Sequence, residues 1–168
     1  MFDVCLNIKD ISISSIEKED ILSIQQWINS KNNNNSENPL VFKEFYQRFL
    51  EYYVSENEFF LKIIKQDSLI GVLKGRMEFK SVNEVWLWYF LIDENYREIG
   101  IGSLIINNIV NYFKEEFGID SIYTCVCEKD VGILKFWNQN NFKLLRVSKD
   151  FFNSSEGKMD MLILKNIF

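Results

Sequence analysis

Apolar residues recur along the chain with two periods, one typical of strands and one typical of helices. Loose alternation from Val4 to Ile13 predicts a first strand. Ser14 and Glu17 then have the spacing of a capping box, which predicts the start of a helix. Three isoleucines at helical spacing continue that helix: Ile21, Ile24 and Ile28.

A polar, Asn-rich stretch from Lys31 to Asn38 cannot form a core and predicts a surface loop. The pair Asn38-Pro39 opens a second helix, because Asn is a favoured cap and Pro is tolerated in the first turn. Its apolar face consists of aromatic residues, which we interpret as core: Phe42, Phe45, Tyr46, Phe49 and Tyr53.

Three strands follow this second helix. Their predicted bounds are Glu58 to Lys65, Ser68 to Phe79 and Asn83 to Ile92. A tight hairpin at residues 66–68 joins the first two. The third is apolar at successive positions from residue 85 to residue 92, which predicts a central strand covered on both faces.

The clearest helix of the chain is predicted from Ile101 to Phe117, with Gly118 ending it. A strand over residues 121–127 follows. Asp130 then caps a short helix that continues through residue 140. Asn141 closes it in the left-handed conformation.

Two final strands, over residues 142–147 and 159–164, flank a polar loop at residues 153–157. The predicted order is therefore β-αα-βββ-α-β-α-ββ. It mixes hairpins with crossover connections, so we predict an α+β (mixed α/β) fold. A central mixed sheet of about seven strands with flanking helices would form one domain over residues 1–168.

Composition narrows the class of protein. The chain has 168 residues, of which 47% are hydrophobic, so it can bury a substantial core. Its net charge of −5 and the lack of a basic stripe argue against a nucleic-acid partner. No secretory signal is visible in the first residues, and the longest apolar run is far shorter than the about 20 residues that span a bilayer. We expect a cytoplasmic protein with no membrane partner.

The chain has no histidine, which removes the commonest general base and any Ser-His or Cys-His nucleophile pair. The three cysteines, Cys5, Cys125 and Cys127, are too few for a disulfide framework and lack the partners of a zinc site. We expect reduced thiols and no metal. Chemistry must then come from carboxylates, tyrosines, thiols, the backbone or a cofactor.

The segment between the apolar strand and the clearest helix is the most informative. Two glycines, Gly100 and Gly102, precede or open a helix whose first N–H groups have no partner and suit a phosphate. A dinucleotide motif would need a third glycine where Ile105 stands, and a P-loop would need a lysine before Ser103. Alternatively, the glycines serve only a tight turn.

The segment resembles the acyl-CoA pyrophosphate loop of the GNAT superfamily, whose pattern Arg/Gln-x-x-Gly-x-Gly/Ala is filled by Arg97, Gly100 and Gly102. Downstream, Asp130, Phe136-Trp137 and Asn141-Phe142 lie where the family tends to have Asn, Phe/Leu-Tyr and Gly-Phe. The predicted order of elements is similar along nearly the whole chain.

The resemblance implies an acetyl-CoA-dependent N-acetyltransferase, with acetyl-CoA as co-substrate. The backbone of Phe90, Leu91 and Ile92 would bind the pantetheine arm, and Asp130 and Trp137 would also contact the cofactor. An amine would attack the thioester directly, without a covalent enzyme intermediate. The pyrophosphate would be held by seven consecutive residues: Arg97, Glu98, Ile99, Gly100, Ile101, Gly102 and Ser103.

The catalytic groups are less evident. The family often places a glutamate on or near the strand before the loop, which makes Glu84 and Glu78 the candidate general bases. Trp137 stands where many members have a tyrosine that protonates the leaving thiolate, and an indole cannot serve as that acid. Tyr123 is the candidate substitute, with Tyr89 and Tyr96 as alternatives; solvent could also supply the proton.

Three functions remain open from the sequence. The first is acetyl transfer to a primary amine of a small molecule or protein. The second is a non-catalytic acyl-CoA-binding domain on the same fold, motivated by Trp137 and the lack of an obvious base. The third is an interaction domain in which the glycines are structural. The family resemblance also implies that a homodimer could form.

Overall fold

The computed structural model describes residues 3–32, 55–154 and 157–167. Eight strands and three α-helices lie in this part of the chain. The strands are β1 (Cys5–Ile8), β2 (Ile11–Ser15), β3 (Glu58–Lys65), β4 (Ser68–Phe79), β5 (Asn83–Ile92), β6 (Ser121–Cys127), β7 (Phe142–Ser154) and β8 (Gly157–Asn166). The helices are α1 (Ile21–Asn32), α2 (Ile101–Phe117) and α3 (Val131–Gln139).

The strands form a mixed sheet in the order β1-β2-β3-β4-β5-β6-β8-β7. The pair β5–β6 is parallel, whereas β1–β2, β2–β3, β3–β4, β6–β8 and β7–β8 are antiparallel. This confirms the predicted mixed α/β fold. Contacts divide the chain into two compact units, one of residues 1–76 and 89–99, the other of residues 77–88 and 100–168. The single domain over residues 1–168 stays a prediction.

The sheet has eight strands where we predicted about seven, because the first predicted strand is a hairpin. Lys9 has a positive φ of 55°, and the chain reverses there so that Ile8 pairs with Ile11. Apolar residues are at even positions up to Ile8 and at odd positions from Ile11, so the alternation changes phase at the turn. The loose alternation predicts a single strand only when this change of phase is ignored.

The predicted start of the first helix at Ser14 is wrong. Ser14 lies in β2 and pairs with Lys62 of β3, so the sheet uses its backbone. A 3-10 turn over Lys18–Asp20 precedes α1, and the Asp20 carboxylate accepts the Glu17 N–H at 2.9 Å. The helix then begins at Ile21 and includes Lys31, which we had assigned to the loop.

The rest of that predicted loop, residues 33–38, and the predicted second helix with its aromatic face at residues 42–53 lie outside the described residues. Elsewhere the agreement is close. The predicted bounds of β3, β4, β5, β6 and α2 are confirmed, and Gln66 and Asp67 form the predicted tight hairpin with positive φ. Gly118 ends α2 with a φ of 59°.

The first unit is built around the apolar side of α1. Phe60 of β3 and Val72 of β4 share one buried cluster with the helix, and Trp27, Tyr89 and Leu91 pack against it. The cluster also contains the buried isoleucines of this region: Ile16, Ile21, Ile24 and Ile28. The isoleucines that predicted α1 by their helical spacing are thus the residues that the helix buries.

The second unit contains α2, α3 and the late strands. Helix α2 buries five residues along one side: Ile105, Ile106, Ile109, Val110 and Phe113. The strand pairs Val85–Ile122 and Leu87–Thr124 are likewise buried on one face of the sheet.

The last hairpin is longer than predicted. Its strands extend to Ser154 and from Gly157 because backbone pairing continues through the polar residues, for instance between Asn153 and Lys158. Asp130 occupies the N-cap position of α3 but makes no side-chain cap bond, so its predicted capping role is wrong. Asn141 has the predicted left-handed conformation, with a φ of 64°. None of the described helices is long and apolar enough to cross a membrane.

Candidate functional site

The end of β5 is held closely against β4 in the first unit. A Cβ on Gly71 would lie 2.6 Å from the carbonyl oxygen of Leu91 and 2.7 Å from Cδ1 of Ile92. The N–H of Asp93 donates to the carbonyl of Ile70 at 2.8 Å. Gly71 therefore permits the close approach of the backbone at Leu91 and Ile92, a requirement that was not predicted from the sequence.

β5 is less covered than its apolar sequence predicts. It holds a central place in the strand order, as predicted, but Trp88 is 37% exposed and Trp86 is only half-buried. Its pairing with β6 runs from Glu84–Ser121 to Leu87–Thr124, and both strands continue beyond this stretch. The expectation of full cover on both faces is wrong.

Asp93 follows β5 directly and organises the turn that comes next. Its Oδ1 accepts hydrogen bonds from the backbone N–H and the side-chain Nδ2 of Asn95, at 3.0 and 3.1 Å. Its Oδ2 lies 2.6 Å from the ammonium of Lys31. Burial raises the pKa of Asp93, but the hydrogen bonds from Lys31 and Asn95 and the charge of Lys31 outweigh it, so the net shift is downward.

These contacts of Asp93 were not predicted from the sequence. An aspartate two residues before an asparagine is a signal for an Asx turn, so Asp93 and Asn95 could have been found. Lys31 could not have been found, because it lies far away along the chain in a different element.

Arg97 follows the 3-10 turn Glu94–Tyr96, and one nitrogen of its guanidinium group makes a hydrogen bond to the backbone. Its Nε donates to the carbonyl of Ile92 at 2.8 Å, while the residue as a whole is exposed. Burial raises the pKa of Tyr89 to about 12, although the positive charge of Arg97 opposes this shift. Tyr89 is thus a weaker acid than a free phenol, which counts against it as the proton donor to a leaving thiolate.

The bend between Arg97 and α2 contains two positive φ angles. Glu98 has a φ of 60° and Gly100 a φ of 84°, and the intervening Ile99 is 65% exposed. A φ of 84° favours glycine, since a Cβ is strained there even though no atom lies within 4 Å of its position. Glycine at position 100 is therefore explained by the backbone conformation, since other residues rarely adopt this positive φ.

Helix α2 begins directly after Gly100. The first helical hydrogen bond runs from Leu104 N–H to Gly100 O at 2.9 Å, so the N–H groups of Ile101, Gly102 and Ser103 have no partner within the helix. No acidic residue occupies the first turn, so no carboxylate there offsets the positive end of the helix dipole. Such a set of donors suits an anion.

Glu84 and Tyr123, two of the predicted catalytic residues, lie together in the second unit. The phenol of Tyr123 donates to Oε1 of Glu84 at 3.2 Å. The Tyr123 ring stacks on Trp86 with a centroid distance of 4.7 Å and is approached by Lys165 Nζ at 5.6 Å. The third candidate, Glu78, forms an ion pair of 2.6 Å with Lys80 instead.

The two downstream residues have different surroundings. Trp137 is buried, and its ring contacts those of Phe136 and Phe142 at centroid distances of 5.2 and 4.7 Å. Asp130 is exposed. Trp137 thus has a packing role, and its contact with a cofactor stays a prediction. Among the described residues, no group of three or more Cys, Asp or Glu side chains could hold a metal ion.

A family model described as an acetyltransferase (GNAT) domain matches residues 13–163 of the chain. The chain belongs to the GNAT acetyltransferase family. The resemblance read from Arg97, Gly100 and Gly102 is therefore confirmed at the level of the family. No curated protein sequence is similar enough to this GNAT chain to count as a match.

Solved structures of GNAT proteins share the fold. The ribosomal L7/L12 α-N-protein acetyltransferase RimL, in complex with coenzyme A, aligns with a TM-score of 0.80 at 12% identity over 98% of both chains. Spermidine N-acetyltransferase from Vibrio cholerae aligns at 0.76 and 14% identity, over 94% of this chain and 95% of that one. Arabidopsis thaliana Naa50, with a bisubstrate analogue, aligns at 0.70 and 17% identity, over 95% and 99%.

Proposed function

We propose that this GNAT protein transfers the acetyl group of acetyl-CoA to a primary amine of a small molecule or a protein. The observation that carries the proposal is the start of α2. There, Gly100 in the left-handed conformation directs the chain into a helix with three unpartnered N–H groups and no acid in its first turn. Such a terminus suits a pyrophosphate.

Each part of the co-substrate has a proposed partner. Residues 97–103 would hold the pyrophosphate, mainly through backbone N–H groups because Arg97 Nε already donates to Ile92 O. The backbone of residues 90–92 would bind the pantetheine arm. Glu98 is exposed, so its carboxylate is free to stay in water and away from the phosphates. Asp130 and Trp137 remain proposed contacts.

The chemistry needs a base, and we propose Glu84. An amine substrate is mostly protonated at neutral pH and must lose that proton before it attacks the thioester carbonyl. The amine nitrogen then bonds to the acetyl carbon, the carbon–sulfur bond breaks, and coenzyme A leaves as a thiolate, while the nitrogen loses its second proton to water and becomes an amide. Glu84 would accept the proton, directly or through water, and Tyr123 would orient its carboxylate through the 3.2 Å hydrogen bond.

The leaving thiolate would take its proton from solvent, since a free thiol has a pKa near 8.5. Trp137 cannot supply the proton because it is buried and its N–H is not acidic. The lack of a proton donor at Trp137 is the observation that favours the second candidate function, a domain that binds acyl-CoA without turning it over. Acetylation of any amine at a rate above the uncatalysed one would eliminate that candidate.

The acceptor is a primary amine in this proposal. The structural relatives include an enzyme named for a ribosomal protein and one named for spermidine, so both a protein N-terminus and a polyamine belong in the acceptor screen. The net charge of −5 is compatible with a cationic amine. Location in the cytoplasm, formation of a homodimer and the lack of nucleic-acid or membrane partners stay predictions.

The first experiment is a thermal unfolding scan with acetyl-CoA, desulfo-CoA or adenosine. A ligand at about 100 times its Kd stabilises the native state by about 2.7 kcal/mol. For a chain of this size that corresponds to a rise in Tm of roughly 5–11 °C. We expect the rise with acetyl-CoA and desulfo-CoA but not with adenosine. No rise at millimolar acetyl-CoA would refute the proposed function; a rise would justify an amine screen that detects free thiol.

A further inference from the structure

Lys31 connects the last turn of α1 to the start of the segment that follows β5. Its ammonium nitrogen lies 2.6 Å from Oδ2 of Asp93, whose side chain is only 11% exposed. The other carboxylate oxygen holds the backbone N–H and the amide of Asn95. One buried carboxylate is thus shared between α1 and the 3-10 turn Glu94–Tyr96.

The conformation of this turn determines how the chain reaches Arg97. The Tyr96 N–H donates to the Asp93 carbonyl at 2.9 Å, and the Arg97 N–H donates to the Glu94 carbonyl at 3.1 Å. The Arg97 side chain then returns to the carbonyl of Ile92. A shift of the Asp93 side chain would release Asn95 and with it the first bonds of the turn.

The charge of Lys31 keeps Asp93 in place. A carboxylate that is removed from water is stable only with a cation or several hydrogen-bond donors. Asn95 supplies two neutral donors, and Lys31 supplies the charge-assisted bond, which is the stronger kind. If the ammonium were lost, the carboxylate would regain water most easily by opening the turn.

We propose that Lys31 is a positioning residue for acetyl-CoA binding, acting through Asp93 on the turn that leads to Arg97. This inference rests on the proposed function. In this proposal α1 does more than contribute to the core. The ion pair at its C-terminal end stabilises the conformation of the turn that precedes Arg97. By linkage, bound acetyl-CoA would in turn favour the conformation in which Lys31 and Asp93 are paired.

The chain offers a matched control at the opposite end of α1. Lys62 and Asp20 form an ion pair of 2.6 Å, with side-chain exposures of 21% and 23%. Asp20 ends the 3-10 turn that precedes the helix, so this pair also fastens α1 but lies away from the segment after β5. Lys62→Met therefore removes an equivalent ion pair without disturbing Asp93.

The test compares Lys31→Met with Lys62→Met by calorimetric titration of acetyl-CoA. We expect Lys31→Met to weaken binding about tenfold, which lies within the range known for residues that act at a distance. Lys62→Met should change the Kd less than about twofold, within the effect of an ordinary surface pair. Lys31→Arg, which keeps the charge, should restore most of the affinity. If Lys31→Met does not fold, Lys31→Gln takes its place.

Amide hydrogen exchange gives a second readout that needs no ligand. Exchange at the Tyr96 and Arg97 amides should accelerate in Lys31→Met and stay unchanged in Lys62→Met. Equal acetyl-CoA affinity in Lys31→Met and the wild type, or equal losses in both Met variants, would overturn the positioning role while leaving the proposed function intact. A wild-type protein that does not bind acetyl-CoA would overturn both.

Discussion

The phenol of Tyr123 donates a hydrogen bond to the carboxylate of Glu84 over 3.2 Å. Glu84 is at the beginning of β5, and Tyr123 pairs across the parallel ladder with Trp86, so the sheet register brings the phenol to the carboxylate. A neutral phenol that donates to a carboxylate holds it in one orientation and leaves its second oxygen available. The carboxylate of Glu84 is thus oriented by a neutral donor, whereas that of Glu78 forms an ion pair with Lys80.

Replacing the proposed base should separate catalysis from binding. We expect Glu84→Gln to lower kcat by about 10²-fold or more, which is the contribution typical of a general base. The amide keeps the size of the side chain but cannot accept the proton. The measurement is free thiol release with an amine from the screen, together with the Kd of acetyl-CoA, which should change less than about twofold.

Two variants test this assignment. Tyr123→Phe should lower kcat less than Glu84→Gln does, because it removes only the orienting bond. Glu78→Gln should leave kcat unchanged, since that carboxylate is engaged with Lys80. A Glu78→Gln variant that loses as much kcat as Glu84→Gln would transfer the role of base to Glu78.

The glycine in the first turn of α2 should be required for acetyl-CoA rather than for folding. We expect Gly102→Val to abolish measurable acetyl-CoA binding in calorimetry, because a side chain at this position would prevent close approach of the phosphate to the backbone. The Tm without ligand should stay close to that of the wild type.

Gly132 provides the matched control, since it too is the second residue of a helix, and no atom lies within 4 Å of its Cβ position. Gly132→Val should bind acetyl-CoA normally. Normal affinity in Gly102→Val would show that residues 97–103 do not bind the pyrophosphate.

Any side chain at Gly71 should lower the stability of the folded protein. A Cβ there would lie 2.6 Å from the Leu91 carbonyl oxygen, which belongs to backbone and cannot move aside cheaply. We expect Gly71→Ala to lower the free energy of unfolding by about 1–3 kcal/mol, the usual cost of overpacking. It should also weaken acetyl-CoA binding, since it displaces the backbone proposed to hold the pantetheine arm.

Urea unfolding at pH 7 measures the first effect. Gly132→Ala is the control, because the same change in an exposed helix is expected to be neutral or to stabilise by at most about 1 kcal/mol. Unchanged stability in Gly71→Ala would mean that β4 and β5 can separate at this point without cost.

Acid should destabilise the protein partly through Asp93. The folded-state pKa of Asp93 lies below its ordinary value of 3.8, so the stabilising contribution is fully present above that value. It is lost as the pH falls through the lower, folded-state pKa. We therefore expect the free energy of unfolding of the wild type to fall more steeply than that of Asp93→Asn as the pH is lowered from neutral through 3.8 and then through the lower, folded-state pKa.

Paired urea titrations across this range would measure the difference. Asp10, whose pKa is also lowered, mainly by the hydrogen bond from Lys65, titrates in both proteins and cancels in the comparison. Parallel pH profiles for the two proteins would contradict the downward shift of the Asp93 pKa.

The sequence by itself determined the elements whose signals are local. The bounds of α2 follow from its apolar period and from Gly118, and the hairpin after β3 follows from Gln66 and Asp67. The turn at Gly100 was also predictable, because its signal is local: a glycine stands directly before the apolar residues of a helix. The resemblance to the GNAT family rests mainly on Arg97, Gly100 and Gly102, and the match over residues 13–163 confirms the family.

Only the tertiary structure decided the contacts between distant parts of the chain. It placed Lys31 on Asp93 and joined Tyr123 to Glu84. Each of these depends on strand register or on which helix end meets which turn, and these are determined by burial of the whole core. Local hydrophobic periodicity carries no information about them, since it specifies which face of an element is buried but not which residue it will meet there.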